Sequence, residues 1–155
     1  MEASLAALEG SGIAAYLRSA RWGYAAVNAT HILGIALLVG AIVPLNLRLL
    51  GVWRSVDRTV LVRVLAPTAA AGLALAAGAG LLLVSVRAGE YAALAVFRIK
   101  LALILLGALS ALWAHWRHGL LLDRAGRGRL AGHAAVSILC WLGALACGRL
   151  IAFVT

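Results

Sequence analysis

The sequence predicts an all-α integral membrane protein, a transmembrane antiparallel four-helix bundle with an N-terminal interfacial amphipathic helix. Of its 155 residues, 65% are hydrophobic and 12% are charged, whereas soluble domains are about half apolar and about a quarter charged. The mean hydropathy is +1.03. The apolar residues form four long runs without the alternation of a β-barrel. This composition excludes a disordered chain, and the two cysteines exclude a disulfide scaffold.

Residues 1–20 are expected to form an amphipathic segment at the outer membrane interface. Leu5, Leu8, Ile13 and Leu17 recur near helical spacing, with a break at Gly10–Gly12. Acidic first residues and the lack of an apolar core before a cleavage site argue against a signal peptide. The alternative interpretation is a disordered tail.

Residues 21–155 are predicted to form a single four-helix transmembrane domain. Its spans lie at about 22–47, 64–86, 98–116 and 130–153, and about twenty helical residues cross the hydrocarbon of a bilayer. The third span is short unless residues 97–100 lie at the interface with their charged heads directed outward. Small residues recur in all four runs and allow helices to approach closely in lipid. Pro44 is expected to kink or loosen the first span.

The arginines predict how the chain is oriented. Leaving aside three cations in or beside helix ends, eight basic residues lie on the side where the first span ends and three on the side where it begins. The positive-inside rule makes the arginine-rich loops cytoplasmic and places both termini outside. The cytoplasmic (inner) membrane of a bacterium is the expected location. The net charge of +9 then reflects topology and attraction to anionic headgroups, not binding of nucleic acid.

His31 and Asn28 are the first candidate site residues. They lie three residues apart on one face of the first span, and an ionisable residue inside a membrane is a candidate functional residue by default. One interpretation is a contact to a metal, haem or quinone, or a proton relay. The other is a neutral imidazole that bridges helices through a hydrogen bond to Asn28 or to a backbone carbonyl. Both remain open.

His115 and His133 are the second candidate site. One ends the third span and the other begins the fourth, so two adjacent antiparallel helices present imidazoles at similar depth, as in axial ligation of a b-type haem. The alternative is anchoring in the headgroup zone, with His118 still nearer to water. His31 lies more than about 10 Å from His115 along the membrane normal, which is too far for both to ligate one haem iron.

Three cations near the outer face, Arg98, Lys100 and Arg149, are the third candidate. His31 also lies toward this face. If the fourth helix packs beside the first, these cations would line an outer pocket for an anionic or quinone-like ligand; the alternative is that their charged heads simply extend to the interface. Cys140 and Cys147 are interpreted as packing residues. The chain carries no soluble-enzyme motif, which favours a protein that is not an enzyme.

The first span and its exit also carry a family resemblance. The motifs are Trp22-x-Tyr24, His31-Ile32-Leu33-Gly34, Gly40-Ala41-Ile42 and Leu47-Arg48-Leu49-Leu50-Gly51, with Phe97-Arg98-Ile99-Lys100-Leu101 later in the chain. They resemble an uncharacterised family of small four-helix bacterial integral membrane proteins, which often has aspartate where this sequence has Asn46. More loosely, the chain is similar to CopD-like and b-type cytochrome membrane domains. That resemblance implies handling of a metal or haem by histidines in the helices.

These observations lead to three expectations of function. The first is a small integral membrane subunit associated with haem b or a metal, in the manner of a cytochrome. The second is a structural or accessory membrane protein without a prosthetic group. The third is a small carrier that uses the outer cationic pocket. The lipid bilayer is the expected partner, and other membrane subunits or a second copy of the chain are further candidates.

Overall fold

A computed structural model describes residues 2–124 and 126–154, and at positions 2, 127 and 154 the backbone alone. The predicted outer limits at Met1 and Thr155 lie outside the described residues. Within the described part the chain forms seven helices and no strand, which confirms the all-α class. The helices are α1 (Glu2–Glu9), α2 (Gly12–Ser19), α3 (Arg21–Leu50), α4 (Arg58–Ser85), α5 (Ala88–Ala93), α6 (Ala95–His118) and α7 (Arg127–Val154).

Four of these helices, α3, α4, α6 and α7, are long and apolar enough to cross a membrane. The most apolar stretch of each is at most 33% buried inside the protein. Their leucine and isoleucine side chains therefore lie mostly on the outside, where a soluble protein would carry polar residues and where a bilayer supplies apolar contacts. This confirms a multi-pass arrangement of four candidate transmembrane helices.

The helices extend beyond the predicted spans, most of all at the start of α4. The carboxylate of Asp57 accepts hydrogen bonds from the backbone N–H groups of Thr59 (2.7 Å) and Val60 (3.2 Å), so it caps the helix. The prediction placed this start at Val64 because it counted the preceding arginines as loop. The connection between α4 and α6 likewise contains the short helix α5. Both α3 and α4 continue through their prolines, Pro44 and Pro67.

The chain divides into two compact units, and unit 1 consists of Met1–Leu38 and Ala70–Ala95. Its N-terminal part is helical and attached, unlike a disordered tail. The side chain of Glu9 accepts a hydrogen bond from the Gly89 N–H (2.8 Å), and Arg18 donates to the Glu9 carbonyl (2.9 Å). These bonds hold α1 and α2 to the segment around α5. Their amphipathic placement at a membrane interface stays a prediction.

Within unit 1, α3 and α4 touch backbone to backbone. A Cβ atom on Gly34 would lie 2.8 Å from the Cα of Ala76, and one on Gly72 would lie 2.5 Å from the Leu38 nitrogen. Real Cβ atoms do not approach backbone atoms so closely, so glycine is required at both positions. Such contacts are the main source of helix association in lipid, where apolar side chains gain little by leaving the solvent.

Unit 2 consists of Val39–Ala69 and Val96–Thr155. Its core contains Leu45, Val62, Ala114, Leu122 and Leu130. Leu122 belongs to the turn between α6 and α7, has a positive φ of 56° and is 3% exposed. The turn thus folds an apolar side chain inward, at a backbone conformation that a leucine rarely adopts.

Candidate functional site

A small cavity lies among α3, α6 and α7 within unit 2. Its volume is about 40 Å³, which is room for a few water molecules at most. The polar side chains that line it are Asn46, Ser110, His115, His133 and Ser137. The remaining lining is apolar and consists of Ile42, Leu45, Leu49, Ala111, Ala114, Leu122, Leu130 and Ala134. The predicted histidine pair therefore lies in the wall of a single cavity.

A buried hydrogen bond joins α3 to α7 beside this cavity. The Nδ2 of Asn46 donates to the Oγ of Ser137 at 2.9 Å, and the two residues are 4% and 6% exposed. In the part of the chain that the structure describes, the Asn46 amide oxygen accepts no hydrogen bond. It can accept a hydrogen bond from a small polar species in the cavity. Hydrogen bonds between helices in a membrane typically contribute about 0.6–2 kcal/mol.

The two cavity histidines have different partners. The Nδ1 of His115 donates to the Leu120 carbonyl at 3.1 Å, which leaves its Nε2 as the proton acceptor in the neutral ring. The ring of His133 meets that of His118 edge to face, with centroids 5.9 Å apart.

His118 is 5% exposed, so its side chain is enclosed by the protein although the residue lies at the end of α6. The physical reason is the turn after α6, which folds back onto that helix: the Arg124 N–H donates to the His118 carbonyl at 3.3 Å. Position along a helix predicts the depth of a residue in the membrane, whereas the burial of a side chain at the helix end depends on how the following turn folds.

The cavity does not fit haem. Pockets for ligands of that size have volumes of about 300–1,000 Å³, and the cavity that His115 and His133 line is far smaller, at about 40 Å³. The described residues contain no group of three or more His, Cys, Asp or Glu side chains that could hold a metal ion. Stable zinc sites use three or four protein ligands. The cavity suits a proton or a water-sized species.

His31 lies in unit 1, where it bridges α3 and α4. Its Nδ1 donates to the Ala76 carbonyl at 2.7 Å, and its ring lies over Gly80, where a Cβ would be 3.0 Å from the imidazole Cε1. Asn28 is exposed. Of the partners considered for the neutral imidazole, the structure thus shows the backbone carbonyl, and Gly80 provides the space that the ring occupies.

The outer cations lie in unit 2. Lys100 is half-buried and lies against Gly148 of α7, whereas Arg98 is exposed. The Arg149 guanidinium lies 4.7 Å from the centroid of the Phe153 ring. His31 and Asn28 belong to unit 1, and the outer pocket expected for the three cations stays a prediction.

Sequence reasoning did not assign Asn46, Ser110 or His118 to the site around His115 and His133. A signal for them was present, since each is a polar residue inside or at the end of an otherwise apolar run. Asn46 was noted only as the replacement of an aspartate. What the sequence could not supply was the contact between helices, because α3 is distant from α6 and α7 along the chain.

Comparison of the chain with protein-family models, curated proteins and solved structures found no match. The resemblance to small four-helix bacterial membrane proteins and to cytochrome-like domains therefore stays a prediction. The chemistry available to the chain is that of the cavity, with two imidazoles, two hydroxyls and one carboxamide at the arginine-rich end of unit 2.

Proposed function

We propose that the protein is a small multi-pass protein of the bacterial cytoplasmic membrane that binds and releases protons at the cavity of His115 and His133. The observation that carries the proposal is that both imidazoles line a cavity whose other polar groups are neutral. Histidine is the side chain whose ordinary titration falls between about pH 5 and pH 8. Ionisable side chains that face an internal cavity of a membrane protein typically mark proton or ion pathways.

The position of the cavity supports access from the cytoplasm. His115 lies near the end of α6 and His133 near the start of α7, and the intervening turn and helix ends carry Arg117, Arg124 and Arg129. The positive-inside rule assigns such a connection to the cytoplasmic side. Protons would then enter unit 2 from the cytoplasm, and both chain termini would lie outside.

The incoming proton binds to the imidazole nitrogen that carries no hydrogen in the neutral ring. In His115 the Leu120 carbonyl holds the hydrogen on Nδ1, so Nε2 takes up the proton. The Asn46 amide oxygen and the serine hydroxyls can accept hydrogen bonds from an imidazolium or from a water that carries the charge. Neutral acceptors of this kind stabilise a transient positive charge without fixing it as a carboxylate would.

The experiment is a titration of the histidine side chains by ¹⁵N NMR in nanodiscs. We expect the ¹⁵N signals of His115 and His133 to report proton uptake by both rings, and His133→Gln to remove one of the two signal changes while leaving that of His115 in place. If both rings stay neutral throughout, the proposal is wrong. A Soret band that disappears in His115→Ala would also overturn it, in favour of haem.

A second candidate is a structural or accessory protein without a ligand, and one observation favours it. His31 uses its Nδ1–H to join two helices through the Ala76 carbonyl, which shows that a membrane histidine in this chain can serve packing. On that view His115→Gln and His133→Gln change thermal stability, and neither ring titrates in the NMR experiment.

A further inference from the structure

The end of unit 2 opposite the histidine cavity holds a half-buried lysine. A Cβ atom on Gly148 would lie 3.8 Å from both the Cε and the Nζ of Lys100. The ammonium group therefore lies along α7 instead of extending straight away from the protein. Gly148 is thus in van der Waals range of the lysine, and a methyl group at this position would meet it at ordinary contact distance.

A second cation, Arg149, lies on the same turn of α7 as Gly148. Arg149 follows Gly148 directly, and its guanidinium stacks on the Phe153 ring at 4.7 Å, which limits the directions in which it can point. Arg98 lies two residues before Lys100 and is exposed. The ends of α6 and α7 thus present three positive charges over a short stretch of surface.

No acidic side chain of unit 2 neutralises these charges. Among the residues that the structure describes, the ion pair found joins Arg87 to Glu90 in unit 1. The acids of unit 2, Asp57 and Asp123, lie in connections at the other end of the helices. Asp123 follows the end of α6 at His118, and about 27 Å of helix separates His118 from Lys100 near the start of α6.

We propose that Lys100 and Arg149 form a binding site for the phosphate group of an anionic phospholipid headgroup. A half-buried ammonium without a counter-charge is costly in apolar surroundings, and a phosphate supplies both the charge and the hydrogen-bond acceptors. Lys100 lies in the second turn of α6, at the depth where headgroups meet a helix that begins at the interface. The site involves no histidine and is independent of the proposed proton binding.

The test is native mass spectrometry of the full chain titrated with phosphatidylglycerol and, separately, with zwitterionic phosphatidylcholine. We expect phosphatidylglycerol to bind more tightly, and Lys100→Gln and Arg149→Gln each to weaken it about fivefold, the worth of one basic residue near a membrane surface. Lys100→Arg keeps the charge and should retain binding. Gly148→Ala should also retain it, because the added methyl meets the lysine at ordinary contact distance.

Arg129→Gln is the matched control, since it removes one charge from the other end of unit 2. It should leave the affinity for phosphatidylglycerol unchanged. Equal binding by wild type and Lys100→Gln overturns the proposal, and so does an equal loss in Arg129→Gln, which would indicate unspecific attraction. A competition arm with inorganic phosphate identifies the source: competition supports recognition of phosphate alone, and its absence supports recognition of the whole lipid headgroup. Unchanged thermal unfolding of each variant confirms that it is folded.

Discussion

Individual polar side chains inside the helices are few, and several of those discussed above have a definite hydrogen-bond partner. Asn46 bonds Ser137, His31 bonds the Ala76 carbonyl, and His115 bonds the Leu120 carbonyl. A polar group left without a partner in an apolar medium is costly. Asn46 and His31 therefore hold helices in a particular register, and His115 fixes the turn after α6.

We expect Asn46→Ala to lower stability by about 1–2 kcal/mol, from the lost interhelical hydrogen bond and the unpaired Ser137 hydroxyl. Unfolding in mixed micelles measures the change. Ser137→Ala should cost a similar amount, and the double variant should cost clearly less than the sum of the two. Strict additivity would mean that the bond between these side chains does not contribute.

Trp141 of α7 is buried and packs against a glycine of α6. Its Nε1 is buried and has no hydrogen-bond partner among the described residues, and its ring lies against Gly107, where a Cβ would be 3.1 Å from the indole Cε2. We expect Gly107→Val to displace the ring and lower the thermal unfolding temperature. Gly132→Ala, which meets nothing within 4 Å, is the control. If Gly132→Ala lowers the thermal unfolding temperature and Gly107→Val does not, this packing is wrong.

At the scale of elements, the start of α4 depends on a single carboxylate. The pKa of Asp57 is lowered, chiefly by the hydrogen bond from the Thr59 hydroxyl and then by the backbone N–H groups of Val60 and Thr59. A lowered pKa means that the folded state favours the charged form. Its contribution to stability is present above the ordinary value of 3.8 and is lost as the pH falls through the lower folded value.

Asp57→Asn is therefore expected to destabilise the protein near neutral pH and to leave it nearly unchanged at a pH below the folded value. Urea unfolding of wild type and variant across acidic pH measures the difference. The difference in the free energy of unfolding between wild type and variant is expected to shrink as the pH falls. A difference in unfolding free energy that stays constant down to strong acid would show that the carboxylate does not cap α4.

The crossing of α3 and α4 is the other element-scale feature, and it depends on two glycines. Gly34→Ala and Gly72→Ala would place a methyl group within 3 Å of backbone atoms in the opposing helix. We expect each to cost about 1–3 kcal/mol or to prevent folding. Gly40→Ala is the matched control in α3, because nothing lies within 4 Å of its Cβ position. That variant should be neutral or slightly stabilising, since alanine favours a helix.

At the scale of the whole molecule, the orientation in the membrane is the central prediction. The arginine asymmetry places both termini outside, so a tag fused after Thr155 should be accessible to an impermeant reagent in intact spheroplasts. A cysteine introduced at Val52, between α3 and α4, should react only after lysis. The reverse pattern would invert the topology and move the histidine cavity to the outer face.

Much of the fold follows from the sequence alone. Four apolar runs that are long enough to span a bilayer permit few structures other than helices, because each backbone N–H and C=O in lipid must be bonded within its own segment. The all-α class, the four long helices and the break at Gly10–Gly12 could therefore be predicted. The helix ends were less accurate, since capping at Asp57 depends on local hydrogen bonds that hydropathy does not report.

The candidate site divides in the same way. The sequence determined that His31, His115, His133 and Lys100 are ionisable residues within apolar runs, and hence candidates. Only the tertiary structure decided their partners: the Ala76 carbonyl for His31, a cavity shared with Asn46 for the histidine pair, and the bare backbone of Gly148 for Lys100. The physical reason is that hydropathy describes the residues of one helix at a time. A site requires contacts between helices, and these are set by close backbone packing.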